Sequence, residues 1–196
     1  MAEEAADEGS SREIKSALKR IKSEVCTSVE DISRTLKMLN NVIMDYHVFT
    51  IDSCLTEAVS KAVPNDVNVT YSIPKSNTVV LGNKAHIVES FVNILRNATE
   101  AMQNNSANRK RIEISVYTEE DMLLATVKDY GCGISKKNMK KIFKLFFTTK
   151  EQKIGTGLGL DYAKRVMTIH GGGIEVESSE GYYTNVYVAL PIYNHR

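Results

Sequence analysis

The alternation of strand-like and helix-like segments from residue 47 onward constrains the fold of this chain more than any other feature. Two strand-like segments, RIEISVYT and MLLATVKD, are joined near Glu119–Glu120, a connection short enough for a hairpin. Because hairpins are interleaved with helices, the sequence predicts an α/β (α+β) two-layer sandwich, with a mixed sheet and helices on one face, rather than a doubly wound parallel sheet. The other predicted strands are VFTI, VNVTYSI, TVVL, GIEVES and YYTNVYVALP.

Helices are predicted where apolar residues recur with a helical period, over DSCLTEAVSKA, 83–104 and 158–170. The first of these is expected to be capped by Asp52 or Ser53. Residues 130–156, rich in glycine and lysine, are expected to be irregular. The region from 47 to 196 is therefore predicted to form one domain.

A long helix is predicted to precede this domain, over residues 12–46. Its apolar positions recur at intervals of 4 and 3, with a doubled 4 at Val25 to Val29, which is typical of a coiled coil with a stutter. So narrow a stripe favours packing against partner helices, and the alternative is one helix that lies across the domain. The acidic residues 1–11 are expected to be a disordered tail or an expression remnant.

Composition sets outer limits on function. The chain is 42% hydrophobic and 25% charged, as in globular proteins, and its net charge of +1 gives no argument for a nucleic-acid or membrane-surface partner. Three cysteines without metal-site spacing favour a reducing compartment. No apolar run approaches the roughly 20 residues that span a bilayer, so we expect no membrane segment in this chain. The expected location is cytoplasmic, and the alternative of a membrane anchor in the full-length protein stays open.

Two asparagines lie one turn apart in the predicted helix 83–104, at Asn93 and Asn97. Asparagine is a poor helix former, and burying an amide without a partner costs about 1–3 kcal/mol. The asparagines are expected at the margin of a core face formed by Ile87, Phe91, Ile94, Ala98 and Ala101. Either they are incidental, or something outside the helix needs two side-chain oxygens on one face.

Three further segments carry candidate chemistry, although each alone is a weak signal. DYGCGI, from Asp129 to Ile134, places an acceptor at a strand end, before glycines that allow close backbone approach. GTGLGL, from Gly155 to Leu160, leads into a helix N-terminus, where free N–H groups favour anions. KIFKLFFTTK is an aromatic cluster that ends at Lys150, in a region whose six other lysines are expected to be solvated.

In this order, N-x-x-x-N, D-x-G-x-G, F-x-x-F-F-T-T-K and G-T-G-L-G-L resemble the ATP-binding domain of sensor histidine kinases, within the Bergerat-fold ATPases. The resemblance is greatest to nitrogen-regulation-type kinases, whose lids read F-F-T-T-K. It implies a site for ATP and Mg²⁺ and transfer of the γ-phosphate to a histidine. By this resemblance, Asn97 matches the family's magnesium-binding asparagine, and Asn93 supports the metal shell. Asp129 matches the residue that accepts a hydrogen bond from the adenine amino group, and Lys150 matches a lid residue that contacts phosphate.

The resemblance implies further nucleotide contacts from the glycine elements and from Thr184. The family pattern G-x-G-T-x-F is G-Y-Y-T-N-V here, so a glycine and the phenylalanine are replaced. The lid is expected to be anchored by the apolar contacts of Phe143, Phe146 and Phe147. The glycine-element residues are Gly131, Gly133, Ile134, Gly155, Thr156, Gly157, Leu158, Gly159 and Leu160.

The histidines depart from the family pattern. The family carries its acceptor histidine on the first helix of a dimerisation hairpin, directly before an acidic residue or asparagine. None of the chain's histidines fits, and they are His47, His86, His170 and His195. Residues 12–46 therefore resemble only the second hairpin helix, and the acceptor helix is expected to be absent, through truncation or because the natural protein is unusual. The implied partners are that hairpin helix and a response regulator, with a homodimer for the full-length protein.

Two alternatives stay open. The first is a Bergerat-fold ATPase such as gyrase, which the sequence disfavours: those enzymes carry a water-activating glutamate at the position of Asn93, and an amide cannot act as a base. A non-catalytic nucleotide-binding interaction module is the other alternative, because intact binding motifs do not exclude lost chemistry.

Overall fold

The computed structural model describes residues 45–74, 78–106, 110–149 and 157–194, which all belong to one compact unit, Ile43–Arg196. The predicted tail and nearly all of the predicted helix 12–46 lie outside the described residues. Asp45 and Tyr46, at the end of that prediction, are not helical.

Seven strands and four helices form the described part of the chain. The strands are β1 (His47–Thr50), β2 (Asn68–Ser72), β3 (Val79–Gly82), β4 (Arg111–Glu119), β5 (Met122–Asp129), β6 (Gly173–Ser179) and β7 (Tyr183–Pro191). The helices are α1 (Ile51–Ala62), α2 (Lys84–Ala101), α3 (Lys136–Met139) and α4 (Gly159–Ile169).

The strands form one mixed sheet and one small ribbon. The main sheet has the order β2-β4-β5-β7-β6, and β1 pairs with β3 separately. β2 runs parallel to β4, whereas the other neighbours in the main sheet are antiparallel. The predicted hairpin of β4 and β5 is confirmed, with Glu120 at a positive φ of 52° in its turn.

The core lies between the main sheet and the three longer helices. Buried residues alternate with half-buried residues along β5 and β7, so these strands bury one face. α1 packs on α2, α2 packs on α4, and both α2 and α4 contact the sheet. The predicted two-layer sandwich is confirmed. None of the helices in the described ranges combines the length and apolar character needed to span a bilayer.

Two local predictions were wrong. The N-cap of α1 is Thr50 rather than Asp52 or Ser53, because β1 leads directly into the helix and Ile51 is already buried in the core. The Ser53 hydroxyl instead donates to the Thr50 carbonyl at 2.7 Å. The stretch predicted to be irregular contains the single-turn helix α3.

Candidate functional site

A row of polar side chains crosses the buried face of the sheet at one end. Asp129 ends β5, and it is paired with Thr184 of β7, which is paired with Ser178 of β6. Asp129 and Thr184 are 4% and 8% exposed. The preceding row on this face is apolar and consists of Val127, Val186 and Val176. The same alternation that builds the core therefore presents polar groups inward at its last position.

The Asp129 carboxylate is the buried ionisable group of this row. Burial raises its pKa from 3.8 to about 7, partly offset by a hydrogen bond from the Gly131 N–H at 2.9 Å. A carboxylate in this environment gains from a further hydrogen-bond donor, because each donor stabilises the charged form. The predicted acceptor for an exocyclic amine therefore lies in a sheltered position.

The D-x-G-x-G loop closes over the C-terminal end of α2. The Cys132 N–H donates to the Ala101 carbonyl at 3.1 Å, and the Cys132 carbonyl accepts from the Gly181 N–H at 2.7 Å. Gly133 has a φ of +64°, and a Cβ at this position would overlap the Ser179 carbonyl oxygen. Glycine is needed there on both counts, and the loop is held between α2 and the β6–β7 turn. The Cys132 side chain itself is exposed.

Asn93 and Asn97 occupy different environments on α2. Asn93 is only 6% exposed, so the prediction that it lies at the margin of the core face was wrong. α2 is covered by α1 as well as by α4, which buries more of its circumference than a single stripe. The Nδ2 of Asn93 has no hydrogen-bond partner within the described residues. Asn97, one turn later, is half-buried.

The second glycine element meets Asn93 at the start of α4. A Cβ built at Gly159 would lie 3.4 Å from the Cβ, Cγ and Oδ1 of Asn93. The N-cap of α4, Leu158, makes no side-chain capping hydrogen bond and is buried. The asparagine helix and the predicted anion-binding helix terminus thus lie side by side in the structure.

The aromatic segment packs on this element through its backbone. Gly157 has a φ of +66°, and a Cβ there would overlap the backbone of Phe146 and Phe147. The Phe146 side chain is 64% exposed, so its predicted role as an apolar anchor was wrong in this structure. The Phe143 ring lies 5.1 Å from the Lys164 Nζ.

The remaining predicted site residues can be placed only in part. Lys150, Gly155 and Thr156 lie outside the described residues. Within the described ranges, the predicted solvated lysines are exposed, and they are Lys136, Lys137, Lys140, Lys141 and Lys144.

The described histidines are engaged in local contacts. His170 is buried, with its Nδ1 2.7 Å from the Val166 carbonyl and its Nε2 accepting from the Asn83 N–H at 3.0 Å. His86 Nδ1 lies 2.7 Å from the Tyr162 hydroxyl. Contacts of this kind indicate structural roles for these two side chains.

Sequence inspection missed Ser178. The available signal was the alternation of β6. Ile174, Val176 and Ser178 lie on one face of the strand, so Ser178 is expected to point toward the interior like the two apolar residues before it. Its importance depends on its partners across the sheet, and these are not visible in the strand itself.

Comparisons with known proteins show which proteins this chain is similar to. Residues 82–194 match the family described as "Histidine kinase-, DNA gyrase B-, and HSP90-like ATPase". Sporulation kinase C of Bacillus subtilis (strain 168) is 26% identical over 170 residues, covering 87% of this chain and 33% of that protein. The signal transduction histidine-protein kinase AtoS of Escherichia coli (strain K12) is 40% identical over 102 residues, covering 52% of this chain and 16% of that protein.

The fold also matches a solved structure. The nucleotide-free catalytic domain of histidine kinase ThkA superposes with a TM-score of 0.64 at 25% identity, covering 76% of this chain and 98% of that chain. The chain spans a third or less of the length of the two curated relatives above.

Proposed function

Since the chain belongs to the family of histidine kinase-, DNA gyrase B- and HSP90-like ATPases, we propose that its site binds Mg²⁺-ATP and donates the γ-phosphate to a histidine outside the described residues. The described domain is an ATP-binding catalytic domain of the sensor histidine kinase type. The proposal rests above all on Asn93, whose buried side chain lies against the N-terminus of α4. Hydrolases of this fold need a general base at that position, and an amide cannot serve as one.

The adenine end of the site is assigned to the polar row of the sheet. Ionised Asp129 accepts a hydrogen bond from the 6-amino group, and Thr184, its neighbour across the strands, contacts the same edge of the base. Both side chains are buried, which strengthens such bonds by excluding water. The Gly131–Ile134 backbone forms the adjacent wall.

The phosphate end is assigned to α2 and the start of α4. Backbone N–H groups from Gly157 to Leu160 lie at an uncapped helix N-terminus, where the helix dipole favours phosphate oxygens. Asn93 lies against this terminus, and its Nδ2, which has no partner among the described residues, fits a ligand-bearing site. Lys150, with Gly155 and Thr156, is proposed from the family resemblance to complete the phosphate contacts.

The donor set also fits Mg²⁺. The described residues hold no cluster of three or more His, Cys, Asp or Glu side chains that could bind a metal alone. Mg²⁺ usually takes one or two protein oxygens and completes its shell with phosphates and water. The Asn97 amide oxygen would hold it, with Asn93 in support. When bound, Mg²⁺ neutralises charge on the phosphate oxygens.

Kinase chemistry is favoured over hydrolysis because an amide cannot remove a proton from water. Phosphoryl transfer then requires a nucleophile presented to the γ-phosphate. Among the described histidines, His86 and His170 make structural contacts. His47 is exposed but is followed by Val48 rather than by the acidic residue or asparagine of the family pattern. We therefore assign the acceptor to a helical hairpin outside residues 1–196, with a homodimeric full-length kinase and a response regulator as partners. Because ATP is the proposed donor, we propose a cytoplasmic location for the domain.

Calorimetry with Mg²⁺-ATP tests the binding step. Wild-type protein should bind, Asp129→Asn should weaken adenine recognition, and Asn97→Ala should remove the dependence of affinity on Mg²⁺. Asn68→Ala, at an exposed asparagine of β2, is the matched control and should bind like wild type. Unchanged ATP affinity in both site variants would refute the assignment.

Radiolabelled ATP tests the transfer step. The chain alone should acquire no acid-labile phosphate, whereas adding a separately expressed hairpin that bears an acceptor histidine should produce a labelled hairpin. Stoichiometric acid-labile label on His47 or His86 of the chain itself would show that the acceptor is misplaced.

A further inference from the structure

Ser178 connects the loop and the polar row of the adenine end through one hydroxyl group. Its Oγ accepts from the Ile134 N–H at 2.8 Å, donates to the Tyr183 carbonyl at 2.6 Å and lies 3.2 Å from the Thr184 Oγ1. Ile134 directly follows the D-x-G-x-G segment, and Thr184 is the neighbour of Asp129 in the polar row. The serine thus contacts both the loop and the row.

The hydrogen atoms of this network can be assigned from the chemistry of the groups. A serine hydroxyl has one hydrogen, and a carbonyl oxygen can only accept, so the Ser178 hydrogen is directed to Tyr183. The contact between the two hydroxyls then requires Thr184 to donate to Ser178. With its hydrogen committed, Thr184 offers only acceptor lone pairs to a ligand.

We propose that Ser178 is a specificity-determining positioning residue that makes Thr184 a hydrogen-bond acceptor and thereby favours a 6-aminopurine over a 6-oxopurine. This inference rests on the proposed function of the site. Beside ionised Asp129, an acceptor-only Thr184 completes an edge that matches the two N–H groups of a 6-amino group. A 6-oxo group at the same place meets two acceptors, and an unpaired buried acceptor is costly.

A second effect of Ser178 is common to all nucleotides. Its bond to the Ile134 N–H holds the loop against the β6–β7 strands. Loss of this anchor should weaken purine binding whatever the 6-substituent. Anchoring of the loop therefore cancels in the ratio of the affinities for a 6-aminopurine and a 6-oxopurine nucleotide. A change in this ratio reports only the orientation of the Thr184 hydroxyl group.

The test compares ATP with inosine triphosphate, which has an oxygen at the 6-position and a proton on N1. Both are measured at a pH well above 7, where the Asp129 carboxyl group is ionised and can only accept. Wild-type protein should prefer ATP. Ser178→Ala should lower the ATP-to-inosine-triphosphate affinity ratio by about 2- to 12-fold, the value of one hydrogen bond, because Thr184 becomes free to donate to the 6-oxo group. Ser178→Thr, which keeps the hydroxyl, should restore the ratio.

Thr184→Val provides a check that does not depend on how well Ser178→Ala folds. If Thr184 is an acceptor, its loss weakens ATP binding and lowers the ratio. If it is a donor, its loss weakens the binding of inosine triphosphate and raises the ratio. In the Thr184→Val background, Ser178→Ala should leave the ratio unchanged.

The outcomes are distinct. An unchanged ratio in folded Ser178→Ala, or a raised ratio in Thr184→Val, overturns the inference and leaves ATP binding in place. Absence of ATP binding by wild-type protein overturns the proposed function itself.

Discussion

Replacing Asp129 by asparagine should change how the stability of the nucleotide-free domain depends on pH. The carboxyl group is 4% exposed, and burial raises its pKa from 3.8 to about 7. The folded domain therefore keeps this proton up to about pH 7, whereas the unfolded chain loses it near pH 4. The contribution of the group to stability is fully present below pH 3.8 and is lost as the pH rises through about 7. Asparagine keeps the shape and the acceptor for Gly131 but does not titrate.

The magnitude follows from the pKa shift. A shift from 3.8 to about 7 corresponds to about 4 kcal/mol at about 1.4 kcal/mol per pH unit. The free energy of unfolding of Asp129→Asn, minus that of wild type, should therefore rise by up to about 4 kcal/mol between pH 4 and pH 8 and then level off. Urea unfolding followed by circular dichroism, at each pH and without nucleotide, measures this difference, and other titrating groups cancel.

Asp66→Asn is the control for removing a carboxylate. The Lys110 ammonium is hydrogen-bonded to exposed Asp66 and lowers the pKa of that carboxyl group. The free energy of unfolding of Asp66→Asn, minus that of wild type, should therefore change only slightly with pH and in the opposite direction. A difference between Asp129→Asn and wild type that stays flat from pH 4 to pH 8 would refute the argument that desolvation dominates at Asp129.

Three further predictions concern the site. Asn97→Ala should bind ATP equally with and without Mg²⁺, measured by calorimetry, and retained Mg²⁺ dependence would exclude Asn97 as the ligand. Wild-type protein should hydrolyse ATP slowly in a phosphate-release assay, because it lacks the general base that contributes about 10²–10⁴-fold, and rapid turnover that persists in Asn97→Ala would contradict this. Gly133→Ala should lower the unfolding temperature and weaken ATP binding, because its φ is +64° and its Cβ would overlap the Ser179 carbonyl, whereas Gly173→Ala, with open space at its Cβ, should unfold like wild type.

The main elements of the fold could be predicted because each is encoded locally. Alternation specified β4, β5 and β7, and helical periodicity specified α2 and α4. The order of the strands could not be predicted in this way. β2 pairs in parallel with β4 across the whole of α2, and no local pattern records which distant strand becomes a neighbour.

Candidate site residues could be proposed from the order of several motifs rather than from single residues. Asp129 at a strand end and the glycines beside a helix terminus are weak signals alone, and their proposed roles come from the joint order of four motifs and its resemblance to a known family. The burial of Asn93 could not be predicted, because it depends on α1 and α4 covering α2 from two sides. Ser178 and the exposed side chain of Phe146 likewise depend on contacts made across the domain.

Asn93 offers a final test, because the fold places an amide where an apolar side chain would be more stable. Its Nδ2 is buried without a partner in the described part of the chain, and such a group costs about 1–3 kcal/mol. Asn93→Leu, of similar size, should therefore raise the free energy of unfolding of the nucleotide-free domain by an amount of this order while weakening Mg²⁺-ATP binding. Ser90→Ala is the matched control on the same helix. The Ser90 hydroxyl is buried but satisfied by the His86 carbonyl at 2.8 Å, so its removal should not raise stability. A less stable Asn93→Leu variant with unchanged ATP affinity would mean that the amide serves packing, not the ligand.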